Sequence, residues 1–418
     1  MTAESNLSHS GLRVAELVKS GEGQAVAIER APGVYESRGV GNSYLLTTSE
    51  GDVLVNAGTL RDARRGRELF SKLGTTQRLR YIILTQSHAN QYGGLEVYKT
   101  PDTTVIAHRN YPEDRRYSEA LSTHYRRGSR RMFAQITGPV QDIVPTQEVP
   151  PDLLIDERYT FELGGRRFEL HWTPGGETRS ALIVWLPDEK IAVVGNLFGP
   201  IFGNQPNLNT IRGDKPRSAL QFIESAKTLR ALAPELVLTG HEEIRGAAHI
   251  EREVSRVIDA VQWLHDRTLE GMNAGVSLRS LMREITPPPE LALTEEYGKT
   301  PWNVRAIWHE YTGWFDPDRG TTELYGVPAS SVAPALAELA GGVERLAERA
   351  LGFVTDKQPL EALHLLDIAL AADPSSSVAR DVKLAALKLL LEQTGGKNLW
   401  ERMWIASEIR ALEAPAAT

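Results

Sequence analysis

The chain has 418 residues, 41% of them hydrophobic, with a formal net charge of -7 and no cysteine. This length and composition predict a soluble globular protein of two or three domains. The lack of cysteine excludes disulfides, thiolate nucleophiles and cysteine-held metal, and the negative charge argues against broad nucleic-acid binding. The start at Met1–Asn6 is polar, and no apolar run is long enough to cross a bilayer, so we expect a cytoplasmic protein without a membrane span.

Short apolar runs recur along the first 240 residues. They are rich in β-branched residues, are bounded by Gly, Pro and Asp, and alternate with helical patterns, which predicts buried sheet covered by helices. The runs comprise 43–46, 53–55, 81–84, 105–106, 181–185, 191–194 and 236–238. The loop after Leu84 would lie at the rim of such a sheet, where functional residues are commonly placed.

Helical patterns dominate after Gly240. Apolar residues at helical spacing between Arg245 and Thr268 predict one long helix, and the three prolines of 287–289 indicate a turn. The sequence therefore predicts two domains, 1–270 with the sheets and 271–418 with helices.

The last part of the chain is rich in Ala and Leu at helical spacing, from Ala333 to Leu412. Its run 362–374 looks like a tetratricopeptide-type hairpin. Helix pairs of this kind leave an apolar face that needs a partner. We therefore expect a homodimer formed through this region, with packing on the chain's own first domain as the alternative.

One loop, Thr85 to Gly94, carries the most informative motif and reads T-Q-S-H-A-N-Q-Y-G-G. It resembles the metal loop of the metallo-β-lactamase superfamily, and more narrowly of its alkylsulfatase-like branch, which commonly reads T-H-S-H-A-D-H with Tyr or Phe and two Gly. Further matching segments follow in the same order along the chain: 53–58, 173–177, 195–196 and 240–241. The resemblance implies an α/β fold, a four-layer αββα sandwich, followed by an all-α dimerisation domain.

Most ligand positions of that family's two-ion site carry neutral side chains here. Each replacement keeps roughly the size and hydrogen-bonding capacity of the expected ligand but removes a charge or an imidazole lone pair. The neutral residues are Asn56, Gln86, Asn90, Gln91 and Asn196. The ligand-type residues that remain are His88, Glu177 and His241, which the resemblance implies as the catalytic residues.

The remaining side chains limit how many ions can bind. Two divalent ions need several carboxylates, and Glu177 is the only acidic candidate among the matching positions. Neutral amide oxygens are poor ligands for zinc-like ions. We therefore expect no metal, or one divalent ion held weakly by His88 and Glu177, and the loss of charge disfavours a two-metal centre.

A second segment, Asn207 to Gly213, reads N-L-N-T-I-R-G and resembles a stretch that contacts the sulfate group in alkylsulfatases. The implied substrate-binding residues are Asn207, Thr210, Arg212 and Arg217. A guanidinium offers several donors in a fixed fork, which suits an oxyanion. The alternative is that Arg212 forms a structural ion pair and Asn207 caps a turn.

Three functions remain open at this point. The first is a hydrolase of a small organic sulfate or related anionic ester, in which His88 or His241 activates water as a general base. The second is a metal-independent enzyme of changed chemistry, such as a lyase or isomerase, on the same fold. The third is a non-catalytic dimeric binding protein.

Overall fold

The computed structural model describes residues 14–74, 78–132 and 147–414. The chain forms two compact units, Met1–Tyr311 and Thr312–Thr418. The domain boundary at residue 270 expected from the sequence stays a proposal. Among the described residues, none of the helices combines the length and the apolarity that a bilayer crossing requires.

Two sheets make up the centre of the first unit. The strands of the first sheet, in spatial order, are β1 (Ile28–Ala31), β2 (Val34–Ser37), β3 (Ser43–Leu46), β4 (Asp52–Val55), β5 (Leu79–Ile83), β6 (Thr104–His108) and β7 (Leu153–Ile155). Those from β1 to β4 pair antiparallel, and those from β4 to β7 pair parallel. The parallel part places the C-terminal ends of β4, β5 and β6 at one edge.

The second sheet contains the remaining described strands. In chain order they are β8 (Arg158–Leu163), β9 (Arg166–Trp172), β10 (Leu182–Leu186), β11 (Ile191–Gly195), β12 (Leu236–Thr239) and β13 (Glu243–Arg245). Neighbours in the sheet follow this same order. The pairing is antiparallel except between β11 and β12, which run parallel, so both of these strands end at the same edge.

Alternate side chains of the central strands enter different cores. Tyr44 and Leu46 lie in a cluster shared by both sheets, whereas Leu45 between them packs with side chains on the helix-covered face of the first sheet. In β10, Val184 joins the cluster between the sheets, and Ile183 packs with the helices on the other side. Strands buried on both faces explain the continuous apolar runs of the sequence.

Helices cover both outer faces of the paired sheets. Leu60–Ser71 packs on the first sheet, and Ala219–Leu232 and Ala247–Asn273 pack on the second. The other described helices of this unit are Val14–Leu17, Ala89–Tyr92, Leu95–Tyr98, Tyr111–Ala120, Ser122–Met132, Leu278–Glu284 and Thr300–Thr312. This order of layers confirms the αββα sandwich, and the predicted long helix extends to Asn273.

The second unit is helical, as expected. Its described helices are Ala333–Leu339, Val343–Thr355, Pro359–Ala372, Ser377–Gln393 and Leu399–Glu413. Small side chains such as Ala350, Ala362 and Ala379 are fully buried where the middle helices meet, together with Leu366. Alanine at these positions lets neighbouring helices approach closely. The run 362–374 itself forms the helix Pro359–Ala372 and its end, and the hairpin is completed only by the next helix, Ser377–Gln393.

Candidate active site

Loops from the carboxyl edges of both sheets meet at the candidate site. His88 follows β5 and caps the short helix Ala89–Tyr92, Glu177 lies between β9 and β10, and His241 follows β12. A direct hydrogen bond from Gln91 Nε2 to Asn196 Oδ1, 3.1 Å long, joins the loop after β5 to the loop after β11. The structure therefore brings together side chains that are widely separated along the chain.

Asn56 holds the loop that carries His88. Its backbone φ is 62°, in the left-handed region that Asn tolerates better than most residues. Its Oδ1 accepts hydrogen bonds from the backbone N–H of Thr85 at 2.9 Å and from Thr85 Oγ1 at 3.0 Å. Both residues are fully buried, so Asn56 shapes the start of the loop.

His88 lies between two carboxylates. Its Nε2 is 3.1 Å from Oδ2 of Asp214, and its Nδ1 is 3.5 Å from Oε2 of Glu177 and 2.9 Å from Nε2 of Gln86. Burial acts to lower the pKa of His88, but the hydrogen bonds to Asp214 and Glu177 outweigh it and raise the pKa above its ordinary value. The contacts with Asp214 and Glu177 thus stabilise the protonated form of His88.

Glu177 is buried and fully surrounded by donors. Its Oε1 accepts from Nη1 of Arg217 at 3.0 Å and from the hydroxyl of Tyr297 at 3.1 Å, and its Oε2 accepts from Nδ2 of Asn196 at 3.1 Å. Burial alone would raise its pKa, but the charges of Arg217 and His88 bring the pKa well below its usual range. Glu177 also has a positive φ of 72°, a conformation that is strained for a non-glycine residue.

Arg217 links the carboxylate of Glu177 to a second acid. Its Nη2 lies 3.4 Å from Oδ2 of Asp214, and its Nη1 also donates to the backbone carbonyl of Asn207 at 2.6 Å. Its side chain is only 8% exposed. The helix Ala219–Leu232 begins directly afterwards with Ser218 as its cap, which fixes the backbone beside Arg217.

Arg212 is the more exposed of the two arginines, with 28% of its side chain accessible. Its Nη2 lies 3.2 Å from Oδ2 of Asp214, and its backbone N–H donates to Oγ1 of Thr210 at 3.2 Å. Asn207 and Thr210 are both buried. Both arginines thus contact Asp214, and Asn207 and Thr210 each form a hydrogen bond with one of these arginines.

His241 differs from His88 in its surroundings. It is 6% exposed, and its Nδ1 has no hydrogen-bond partner among the described residues. Burial lowers its pKa to about 4, with a smaller opposing effect from the charge of Glu177. The two imidazoles therefore differ, because nearby carboxylates raise the pKa of His88 whereas burial keeps His241 neutral at pH 7.

The amide side chains form a short chain of hydrogen bonds. Because a carboxylate only accepts, Asn196 presents Nδ2 to Glu177, and its Oδ1 then accepts from Gln91. A Cβ at Gly240 would lie 2.2 Å from Asn196 Oδ1, so this close approach requires glycine. Asn90 is placed differently, with its side chain against Gly41.

These residues do not fit a divalent metal centre. Three donors from Arg217, Tyr297 and Asn196 already satisfy the Glu177 carboxylate. A guanidinium 3.0 Å from the carboxylate supplies the positive charge that a cation would otherwise supply. Within the described ranges, no group of three or more His, Cys, Asp and Glu side chains is arranged to hold an ion.

Two residues of the site were missed from the sequence, Asp214 and Tyr297. Asp214 stands between Arg212 and Arg217, and an acid between two arginines of a candidate anion site was a usable signal. Tyr297 lies in a loop 120 positions after Glu177, and no local pattern marks it.

The space beside the ion pairs is small. The cavity lined by Glu177, Asn207, Arg217 and neighbouring apolar side chains has a volume of about 10 Å³. A cavity of this size has room for roughly one water molecule. A larger ligand must therefore displace a side chain from this part of the site.

Comparison with known proteins identifies two domains in the chain. The model of the metallo-beta-lactamase superfamily matches residues 37–241, and the model of the alkyl sulfatase dimerisation family matches residues 278–413. These matches confirm the resemblance found in the loop at Thr85 and in the helical region.

Individual relatives are alkylsulfatases. The chain is 28% identical over 244 residues to a linear primary-alkylsulfatase of Pseudomonas sp., covering 57% of this chain and 45% of the relative. It is 22% identical over 410 residues to the alkyl/aryl-sulfatase BDS1 of Saccharomyces cerevisiae, covering 90% of this chain and 62% of the relative. The chain thus spans less than two thirds of the length of these curated relatives.

A solved structure has the same fold. The stereoselective inverting sec-alkylsulfatase Pisa1 from Pseudomonas sp. superposes with a TM-score of 0.82 at 19% identity, over 99% of this chain and 73% of that one.

Proposed function

We propose, from the premise that this chain joins a metallo-beta-lactamase superfamily domain to an alkyl sulfatase dimerisation domain, that it hydrolyses small anionic esters, with organic sulfate esters as the first class. This proposal rests on one observation: two arginines lie at the same site as two histidines whose pKa values are shifted in opposite directions. A cationic group that binds the ester's anion, a proton donor and a neutral imidazole that accepts a proton from water are the parts that hydrolysis of such an ester requires.

Arg212 is the proposed main binding group for the ester's oxyanion. It is the more exposed of the two arginines, and its Nη2 contacts the same oxygen of Asp214 that Nε2 of His88 contacts. Arg217 is proposed to position this group, because its guanidinium is committed to Glu177. Asn207 and Thr210 support the two arginines through a backbone carbonyl and a side-chain hydroxyl.

The two histidines are proposed to divide acid and base roles. His88, whose protonated form Asp214 and Glu177 stabilise, would donate a proton to the oxygen released when the ester bond breaks. His241, neutral and buried, would accept a hydrogen bond from the attacking water and take its proton. A pKa of about 4 makes His241 a weak proton acceptor, so its proposed role includes positioning the water as well as taking its proton.

The proposed metal content is none, or at most one weakly held ion. Glu177 and His88 are the residues such an ion would have to recruit, and both are engaged in hydrogen bonds within the protein. A two-metal centre is left out of the proposal because amides occupy the remaining ligand positions.

The proposal is tested by measuring turnover of a panel of alkyl sulfates of increasing chain length, with matching carboxylate and phosphate esters. We expect hydrolysis of at least one sulfate, with loss of activity in His241→Ala. His364→Ala is the matched control, because His364 is exposed in the helical unit. A folded protein that hydrolyses none of the panel would overturn the proposal.

One observation favours a non-catalytic binding protein as a second candidate. The cavity beside Glu177 has room for about one water, which suits a site stabilised by its own ion pairs better than a site open to substrate. A folded dimer that hydrolyses none of the ester panel would support this candidate.

The partner proposed for the helical unit is a second copy of the chain. Several large apolar side chains of this unit are exposed: Leu324 56%, Tyr325 68%, Val327 64%, Leu339 85% and Leu360 57%. Apolar side chains in such number mark an interface more often than a free surface. Light scattering should give twice the 46.2 kDa chain mass, and a monomer at micromolar concentration would contradict this part of the proposal.

A further inference from the structure

Three basic groups converge on one oxygen of the protein itself. Oδ2 of Asp214 lies 3.1 Å from Nε2 of His88, 3.2 Å from Nη2 of Arg212 and 3.4 Å from Nη2 of Arg217. The other oxygen, Oδ1, accepts from the backbone N–H of Lys215 at 2.9 Å. A single carboxylate therefore collects the donors of both arginines and of one histidine.

These donors are the ones that an external oxyanion would use. Carboxylate and sulfate oxygens both carry negative charge and both accept charge-assisted hydrogen bonds from guanidinium groups. A second anion on the same three donors would be repelled by Asp214 at a distance where two like charges cost free energy. Either the Asp214 carboxylate or an anionic ligand can therefore occupy the position that these three donors contact, but not both at once.

We propose that Asp214 is an intramolecular ligand of the oxyanion subsite, and that an anionic group binds there only by replacing it. The identity of the anion, the sulfate group of an ester, rests on the proposed function. The exchange between Asp214 and an anion does not depend on that function. Asp214 would set the affinity of the subsite and exclude anions that cannot displace a carboxylate.

The position of Asp214 in the chain is compatible with such an exchange. It lies in a segment without helix or strand, directly after Gly213, whose φ of 84° is a conformation that favours glycine. The neighbouring Lys215 is held at the rim by Glu113, 3.4 Å away, and lies 3.5 Å from the centre of the Tyr117 ring. With 27% of its side chain already accessible, Asp214 can turn toward water while Lys215 keeps the segment attached.

Exchange lowers the apparent affinity for an anion. When the competent state is a small fraction of the molecules, the apparent dissociation constant rises by the inverse of that fraction. If Asp214 occupies the subsite in about 90 to 99% of molecules, its removal should strengthen anion binding by about 10- to 100-fold.

The test is a calorimetric titration of inorganic sulfate into the intact protein and into Asp214→Asn, in a buffer free of other multivalent anions. We expect at least about tenfold tighter sulfate binding by the variant. Glu113→Gln is the matched control, since it removes one negative charge without touching the three donors and keeps an oxygen that can accept from Lys215, and it should leave the affinity near that of the unchanged protein. Arg212→Gln combined with Asp214→Asn should abolish the gain.

Equal or weaker binding by Asp214→Asn would overturn the inference, as would an equal gain in Glu113→Gln, which would show a general charge effect. Absence of sulfate binding in all variants would also overturn it. The proposed function is judged separately by turnover. A protein that hydrolyses alkyl sulfates while Asp214→Asn gains no affinity refutes the exchange alone, and a gain in affinity without turnover refutes the hydrolase alone.

Discussion

Nη1 of Arg217 lies 3.0 Å from Oε1 of Glu177, with side-chain exposures of 8% and 6%. The two charges neutralise each other at the position where the resemblance implied a cation-binding carboxylate. Removing one partner leaves the other charge buried without compensation, which is costlier than the pair is stabilising. The Arg217–Glu177 pair therefore contributes to the stability of the site, and it lowers the affinity of Glu177 for added cations.

Arg217→Met should destabilise the protein by about 3 to 5 kcal/mol, because it leaves the Glu177 carboxylate buried and uncompensated. Urea unfolding followed by circular dichroism measures this change. Arg345→Gln is the control, since Arg345 and Glu348 form a pair that is 68% and 67% exposed, and it should have no measurable effect. A similar stability for both variants would show that the buried pair contributes nothing.

The stability of the protein should depend on His241 below neutral pH. Its pKa is about 4 in the folded protein, below the ordinary 6.5, so the unfolded chain binds a proton in this window that the folded chain does not. The stability contributed by neutral His241 is then lost as the pH falls from 6.5 toward 4, by about 3 kcal/mol in total.

His241→Asn should remove this part of the pH dependence, and unfolding free energies at pH 7, 6, 5 and 4.5 measure it. The variant should lose less stability than the unchanged protein across the interval. Parallel curves for the two proteins would contradict the lowered pKa.

Much of the fold followed from the sequence because burial on both faces of a strand leaves a direct apolar signal. The predicted run 43–46 coincides with β3, and the predicted run 191–194 is one residue shorter than β11. The long helix was predicted to start at Arg245, which instead ends strand β13, since its backbone pairs with Leu236. Such ends depend on tertiary pairing that periodicity does not contain.

The sequence identified most residues of the candidate site, but it did not show which of their side chains contact each other. The motif identified His88, Glu177 and His241, and the structure brings these loops together. The choice of partner for Glu177 depends on where Arg217 and Tyr297 arrive from 40 and 120 positions away, which no local pattern specifies. Asp214 was not predicted because the resemblance assigns a role to Arg212 and Arg217 but none to the position of Asp214.

Loss of Arg212 should weaken binding of the anionic substrate rather than the fold. Arg212→Gln removes a partly exposed, charged donor, and hydrogen bonds to charged groups contribute about 1.5 to 3 kcal/mol, or roughly 10- to 100-fold in kcat/KM. Steady-state kinetics with an alkyl sulfate measure the effect, which should lie mainly in KM. An unchanged kcat/KM would remove Arg212 from the substrate site.

Restoring ligand-type side chains should create a metal site. The variant carrying Gln86→His, Asn90→Asp, Gln91→His and Asn196→Glu is expected to bind zinc, because imidazole and carboxylate replace amides. Adding Arg217→Met should increase the affinity further by releasing Glu177. Calorimetry with zinc compares both variants with the unchanged protein, and no binding by either would show that these positions do not share one pocket.

The most direct measurement is alkyl sulfate turnover by protein that has been stripped with a chelator and assayed in metal-free buffer, with metal content checked by mass spectrometry. We expect activity to persist after stripping and to disappear in His241→Ala, since the protein's own arginines and histidines supply the charges of the site. Activity that is lost on stripping and returns on addition of zinc would contradict this.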